Sequence, residues 1–145
     1  MTKNENGFTL LESLFVLSIF LLLASLSLLF LSPNHTSLEK QLFFSQLKAD
    51  LFLAQQYAIT NQEVVLVNFD PEHHFYYVKK TNGKTLIKKE FSKKITVSEG
   101  SLKLNFRFSS SGNISSFGSI YVYIEKERYR MTFLIGEGRF YVVKV

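Results

Sequence analysis

The sequence predicts an α+β protein, with one long N-terminal helix followed by an antiparallel β domain. Two observations carry that prediction. Apolar residues run almost unbroken from Phe8 to Leu31 and continue at helical spacing to about Asn61. After Gln62 the apolar period changes from three or four residues to two, and short alternating runs are separated by turn residues.

Taken in order, residues 1–7 form a short polar leader in which Lys3 is the one cation. Residues 8–31 are long enough to span a bilayer, at about 1.5 Å per residue against a ~30 Å hydrocarbon core. The interruptions are Thr9, Glu12, Ser13, Ser18, Ser25 and Ser27. A serine in such a helix can bond back to its own backbone and needs no functional reading. A cleaved secretory signal is the rival reading, but the best small-residue site, Ser25-Leu26-Ser27, is embedded in leucines. Pro33-Asn34-His35 breaks the apolar run, and Thr36-Ser37-Leu38-Glu39 reads as a capping box. Phe44, Leu47, Leu51, Ala54 and Ala58 then mark an apolar stripe, with Lys40, Lys48, Asp50 and Gln55 mostly off it. The expectation is one kinked helix from Phe8 to about Asn61, roughly 80 Å long. Its second half, within residues 32–62, should pack on the domain formed by residues 63–145.

Strands are expected at 63–69, 74–80, 85–91, 95–97, 102–108, 119–125, 129–135 and 140–145. Asp70-Pro71-Glu72 and Asn82-Gly83 supply hairpin turns. Ser109 to Asn113 is a loop, and Lys126-Glu127 and Gly136-Glu137-Gly138 are later turns.

Composition narrows the function. There is no cysteine, which excludes disulfides, thiolate metal sites and a cysteine nucleophile. No phosphate-binding glycine loop, nucleophile elbow or spaced acid–base pair is present, so neither an enzyme nor a cofactor is expected. His73 and His74 sit beside Asp70 and Glu72, but adjacent strand residues point to opposite faces, so no metal site is expected. The net charge of +5 fits an acidic surface or nucleic acid without requiring either. Lys79, Lys80, Lys84, Lys88, Lys89, Lys93 and Lys94 crowd one hairpin region beside Tyr76 and Tyr77, with Arg107, Arg128, Arg130 and Arg139 later. Clustered cations with aromatics can hold a DNA backbone. Lysines can equally protect an exposed sheet edge.

One stretch organises the rest. In Gly7-Phe8-Thr9-Leu10-Leu11-Glu12 a small residue ends the leader, an aromatic opens the apolar run, and a carboxylate follows inside it. An ionisable group within a membrane helix is costly and marks a functional site. These residues resemble the class III signal of type IV pilins and type II secretion pseudopilins. The resemblance implies a prepilin peptidase cut between Gly7 and Phe8 and methylation of the Phe8 amine. It also implies that Glu12 neutralises the terminal amine of a neighbouring subunit. An amine on Phe8 and the Glu12 carboxylate would be i and i+4, one helical turn apart. Phe106-Arg107-Phe108, Gly112, Ile114, Gly118 and Ile120, then Gly136-Glu137-Gly138-Arg139, resemble the C-terminal pattern of the GspH and FimT-type minor pseudopilins. The layout is most similar to minor pilins of the Gram-positive competence pilus.

The resemblance implies a minor structural subunit of a DNA-uptake type IV pilus. Its partners would be other pilins, the prepilin peptidase and the membrane. The leader would be cytoplasmic and the C-terminal domain outside, in the membrane and then in a surface pilus. Two alternatives stay open: a direct DNA-binding tip receptor, using Lys79, Lys80, Lys88, Lys89 and Arg139, and a pseudopilin of a secretion machine. The DNA-contacting Gly-Arg-x-Arg of FimT-type proteins is here Gly138-Arg139-Phe140-Tyr141, without the second arginine.

Overall fold

The computed structural model describes residues 9–30, 35–134 and 139–145, and the side chains of residues 9–26, 37–134 and 139–145. The chain divides into two compact units, Met1–His35 and Thr36–Val145.

In the first unit, α1 spans Leu10–Phe30. Glu12 lies in its first turn and is the only charged residue in the helix. The Glu12 amide donates to Thr9 Oγ1 at 3.3 Å, so Thr9 caps one of the amides that a helix start leaves without a partner. Ser13, Ser18 and Ser25 donate to the carbonyls of Leu10, Phe15 and Leu22, each at 2.8 Å. These hydroxyls are satisfied within the helix, as their spacing allows. The described large apolar side chains of α1 are exposed all round, from Leu10 at 78% to Leu26 at 42%. Among the described residues no helix is long and apolar enough to cross a membrane. The span expected over residues 8–31 runs beyond the described side chains at both ends. The expected junction within a single long helix, at residues 31–34, also lies outside the described residues.

All but the first residue of α2, His35–Asn61, belongs to the second unit, and the helix starts one residue before Thr36, the expected cap. Leu47, Leu51, Ala54 and Ala58 are buried to 1% exposure or less. Phe43 is buried with them, while Phe44 is only partly buried at the edge of the core. Asp50, expected off the stripe, is buried at 6%. It lies three residues after Leu47 and four before Ala54, which places it on the same face.

Eight strands follow: β1 Val65–Asp70, β2 Phe75–Lys80, β3 Thr85–Glu90, β4 Ile95–Glu99, β5 Asn105–Phe108, β6 Gly118–Ile124, β7 Glu127–Phe133 and β8 Phe140–Lys144. They form two four-stranded antiparallel sheets rather than one. The orders are β3-β2-β1-β5 and β4-β6-β7-β8. The split arises because β4 leaves the first hairpins to pair with β6 (Val97 opposite Val122), while β5 returns to β1 (Phe106 opposite Val67). The turn expected at Lys126-Glu127 begins earlier than the sequence suggests, and the one expected at Gly136-Glu137-Gly138 lies outside the described residues. Glu125 takes a φ of 54° and Glu127 is already the first residue of β7.

The inward positions of both sheets and the stripe of α2 form one core. Phe106 packs on Phe133 at 5.0 Å between ring centroids, joining the sheets. Phe43 and Phe44 reach Phe91 and Tyr129, and Phe52 reaches Phe140, tying the helix to both sheets. Gly112, at φ 79°, lets the β5–β6 loop close on α2. A Cβ there would lie 2.7 Å from Ile59 Cδ1, and its carbonyl accepts from Gln55 Nε2 at 2.9 Å. Truncating Leu51 to alanine is expected to cost about 2–5 kcal/mol. Urea denaturation of Thr36–Val145 measures this, and a cost under half a kilocalorie would place Leu51 outside the core.

Candidate functional site

The sequence singles out three sets of residues, and the fold treats them differently. Gly7 and Phe8 lie outside the described residues, whereas Glu12 sits in the first turn of α1.

The hairpin lysines do not form one patch, because alternation along β2 and β3 divides them. Val67, Phe69, Tyr76 and Val78 face the core, so Leu66, Asn68, Phe75, Tyr77 and Lys79 face outward. Lys88 pairs with Tyr77 and shares the outward face. Lys79 Nζ lies 4.2 Å from the Tyr77 ring centroid and Lys88 Nζ lies 4.5 Å from that of Phe75. Arg107, opposite Leu66, adds a third cation. An open groove beside Leu66 and Lys79 is lined also by Val64, Lys80, Thr81, Gly83 and Arg107. Lys80 also rests over the Tyr57 ring of α2 at 4.6 Å. Lys89 pairs with Tyr76 and lines a different groove with Glu39, Gln46 and Glu90. Arg139 lies just before β8 of the other sheet. Of the five residues expected to touch DNA, only Lys79 and Lys88 therefore share the outward face; Lys80, opposite buried Val65, turns toward α2, and Lys89 and Arg139 do not join them. Tyr76 is buried at 2% and is not available as a stacking ring.

Two features escaped sequence reasoning. Tyr76 donates to Asp50 Oδ2 at 2.6 Å, and Gln46 Nε2 donates to Asp50 Oδ1 at 2.9 Å. Burial and the Asp50 carboxylate together push the Tyr76 phenol far above its ordinary range. The pair is 26 residues apart, too far for spacing to reveal. The second is Glu127, expected in a turn. Lys144 and Tyr129 donate to its carboxylate, and Lys40 of α2 lies at 3.2 Å. Those three donors, Lys144 foremost, hold its pKa down to about 2.

His73 Nδ1 meets Asp70 at 3.0 Å, and the buried Nδ1 of His74 has no partner. Among the described residues no group of histidines and carboxylates could hold a metal ion.

The domain resembles the minor pseudopilin EpsH of the type 2 secretion system of Vibrio cholerae, with a TM-score of 0.59 and 12% identity over 73% of this chain and 97% of that one. It also resembles the type IV minor pilin FimU of Pseudomonas aeruginosa, with a TM-score of 0.56 and 14% identity over 68% and 84% of the two chains. Residues 2–28 match the prokaryotic N-terminal methylation motif. Over 137 residues, 94% of this chain and 92% of the relative, the sequence is 31% identical to competence protein ComGD of Bacillus subtilis. The chain belongs to the ComGD family of type IV pilin-like minor subunits.

The Glu127 cluster gives a pH prediction. Its carboxyl is depressed from 4.5 to about 2, so its contribution is complete above about pH 4.5 and is lost as pH falls toward 2. Unaltered Thr36–Val145 should be more stable than Glu127→Gln near neutral pH, and the gap should close between pH 4.5 and 2. Denaturant titrations across that range check this; a gap that ignores pH would remove the charge from the account.

Proposed function

We propose that the chain is a minor pilin of a DNA-uptake pilus, cut between Gly7 and Phe8 and methylated on Phe8. The observation that carries this reading is the coincidence of the methylation motif over residues 2–28 with 31% identity to ComGD along nearly the whole chain. In this reading residues 8–31 anchor the protein in the membrane, with the leader cytoplasmic and the β domain outside. Other pilins of the same machine, and the peptidase that processes them, are its partners. A glycine before the scissile bond offers no side chain to obstruct the peptidase. Glu12 is the one charge in α1, and its apolar surroundings favour pairing with an amine over solitary burial. Ion pairing with the methylated amine of a neighbour fixes the axial register of the incoming subunit.

Gly7→Val should leave full-length protein in the membrane, and the mature mass in its place would refute the cut site. Glu12→Gln should be cleaved normally but should move from sheared surface filaments to the membrane fraction. Equal partitioning of Glu12→Gln and unaltered protein would refute the pairing role.

A second reading places DNA directly on the outer face of the first sheet. It is favoured by Lys79 and Lys88 resting over the Tyr77 and Phe75 rings, with Arg107 on the same face two strands away. Each phosphate contact adds roughly 0.9 to the salt dependence of binding on a log–log scale. Removing Lys79 and Lys88 together should therefore lower the slope for duplex DNA by about two. An unchanged slope in gel-shift titrations of Thr36–Val145 would end this reading.

A further inference from the structure

The outer face of the second sheet differs in kind from the lysine-bearing face of the first. Its central strands present Tyr121 and Tyr123 from β6 opposite Arg130 and Arg128 from β7. The edge strand β8 adds Tyr141 and Val143, 44% and 43% exposed. The remaining outward positions of the four strands are serine and threonine; none is a carboxylate or a lysine. The Arg128 guanidinium stacks 4.0 Å from the Tyr121 ring centroid and 5.7 Å from that of Tyr123, which holds it flat against the sheet.

Tyrosine and arginine without lysine or acid is the composition of a protein–protein contact centre rather than of a solvated surface. Tyrosines give large rigid contact area at low entropic cost, and a planar guanidinium pairs with carboxylates through two bonds. A nucleic acid fits this face poorly. Two arginines supply about two phosphate contacts, against the 6–10 that give strong salt-dependent binding. Four strands about 4.8 Å apart and up to seven residues long make a platform of roughly 19 by 23 Å. Such a platform can seat the centre of an interface of about 800 Å² per partner once the surrounding loops join it.

We propose that this face, centred on Tyr121, Tyr123, Arg128 and Arg130, docks an acidic protein surface of a neighbouring subunit in the assembled filament. The inference rests on the assembly reading above. It assigns to the second sheet a contact distinct from the helix contact that Glu12 makes.

The absence of cysteine makes the face directly testable, because an introduced thiol is the only one in the subunit. Val143→Cys and Thr96→Cys place reporters on opposite edge strands of the platform. Thr85→Cys, on the outer face of the first sheet, is the control. Each variant is expressed in cells at its native level, and sheared filaments are labelled with a polyethylene-glycol maleimide before and after dissociation in detergent. Both platform thiols should react at least tenfold more slowly in filaments than after dissociation, while Thr85→Cys reacts equally in both. Introducing Arg128→Glu with Arg130→Glu should lower the share of subunit in filaments at least fivefold at an unchanged membrane level. Equal reactivity of the platform thiols before and after dissociation overturns the inference, as does equal protection of Thr85→Cys. Protection that nuclease treatment abolishes overturns it in favour of a nucleic acid. A filament share that the double arginine change leaves unaltered overturns the charge pairing. Absence of every variant, and of the unaltered protein, from filaments overturns the assembly reading itself.

Discussion

The fold of the β domain depends on one face of α2. Leu47, Leu51, Ala54 and Ala58 are sealed from solvent, and two of those four are alanines. Small side chains allow two sheets to close around a helix, while larger residues beside the stripe reach sideways. Phe43 meets Phe91, Phe44 meets Tyr129, and Phe52 meets Phe140. Once that face is fixed, strand alternation settles every outward position, because a one-residue slip would turn a strand's apolar set into water. Tyr77 and Lys79 face outward for the same reason that Tyr76 and Val78 are buried. The surfaces available to partners are thus consequences of the packing on α2.

A buried carboxylate in that same face needs an account of its own. Burying a charge is costly unless hydrogen bonds replace its water. Asp50 receives two such bonds, from Gln46 on its own helix and from Tyr76 on β2. Hydrogen bonds to a charged group are stronger than neutral ones, and they are directional. An all-apolar stripe would tolerate small rotations of the helix; the Asp50–Tyr76 bond allows one rotation and one height against β2. Its contribution is therefore greater to the uniqueness of the packing than to its strength. The Lys40–Glu127–Lys144 cluster links α2 to the other sheet in a similar way. It lies at the surface, where solvent screens it and single ion pairs contribute little.

Local periodicity made most of the elements legible. Eight strands were expected and eight are found among the described residues, and the helix that ends at Asn61 was visible from its stripe and from the change of period after Gln62. What stayed hidden is non-local. Nothing near Ile95 or Phe106 tells that β4 joins β6 while β5 joins β1, because the choice is made by residues tens of positions away. Asp50 was misplaced because a carboxylate is expected in water, and its partner Tyr76 lies on a strand. The lysines of the hairpin looked like a single cluster in sequence, yet the two-residue period sends Lys79 and Lys88 to one side and Lys89 to the other. The Tyr121–Arg130 and Tyr123–Arg128 pairs became visible only when the register of β6 and β7 was known.

The two units solve opposite problems with water. The second unit, Thr36–Val145, buries an apolar core of its own. The α1 helix carries leucine, isoleucine and phenylalanine on every side, and burial of such side chains is worth about 1.5–3 kcal/mol each. A helix apolar all round is stable only in an apolar environment. In that environment Glu12 becomes the most expensive residue of the chain, and the one for which a partner changes the energy most. A leucine at that position would enter apolar surroundings at no penalty and would give no register. Under the assembly reading proposed above, the carboxylate would make every unpaired position of the helix unfavourable, so that the position at which an amine met it would stand out from its neighbours. This is specificity obtained by raising the energy of the alternatives.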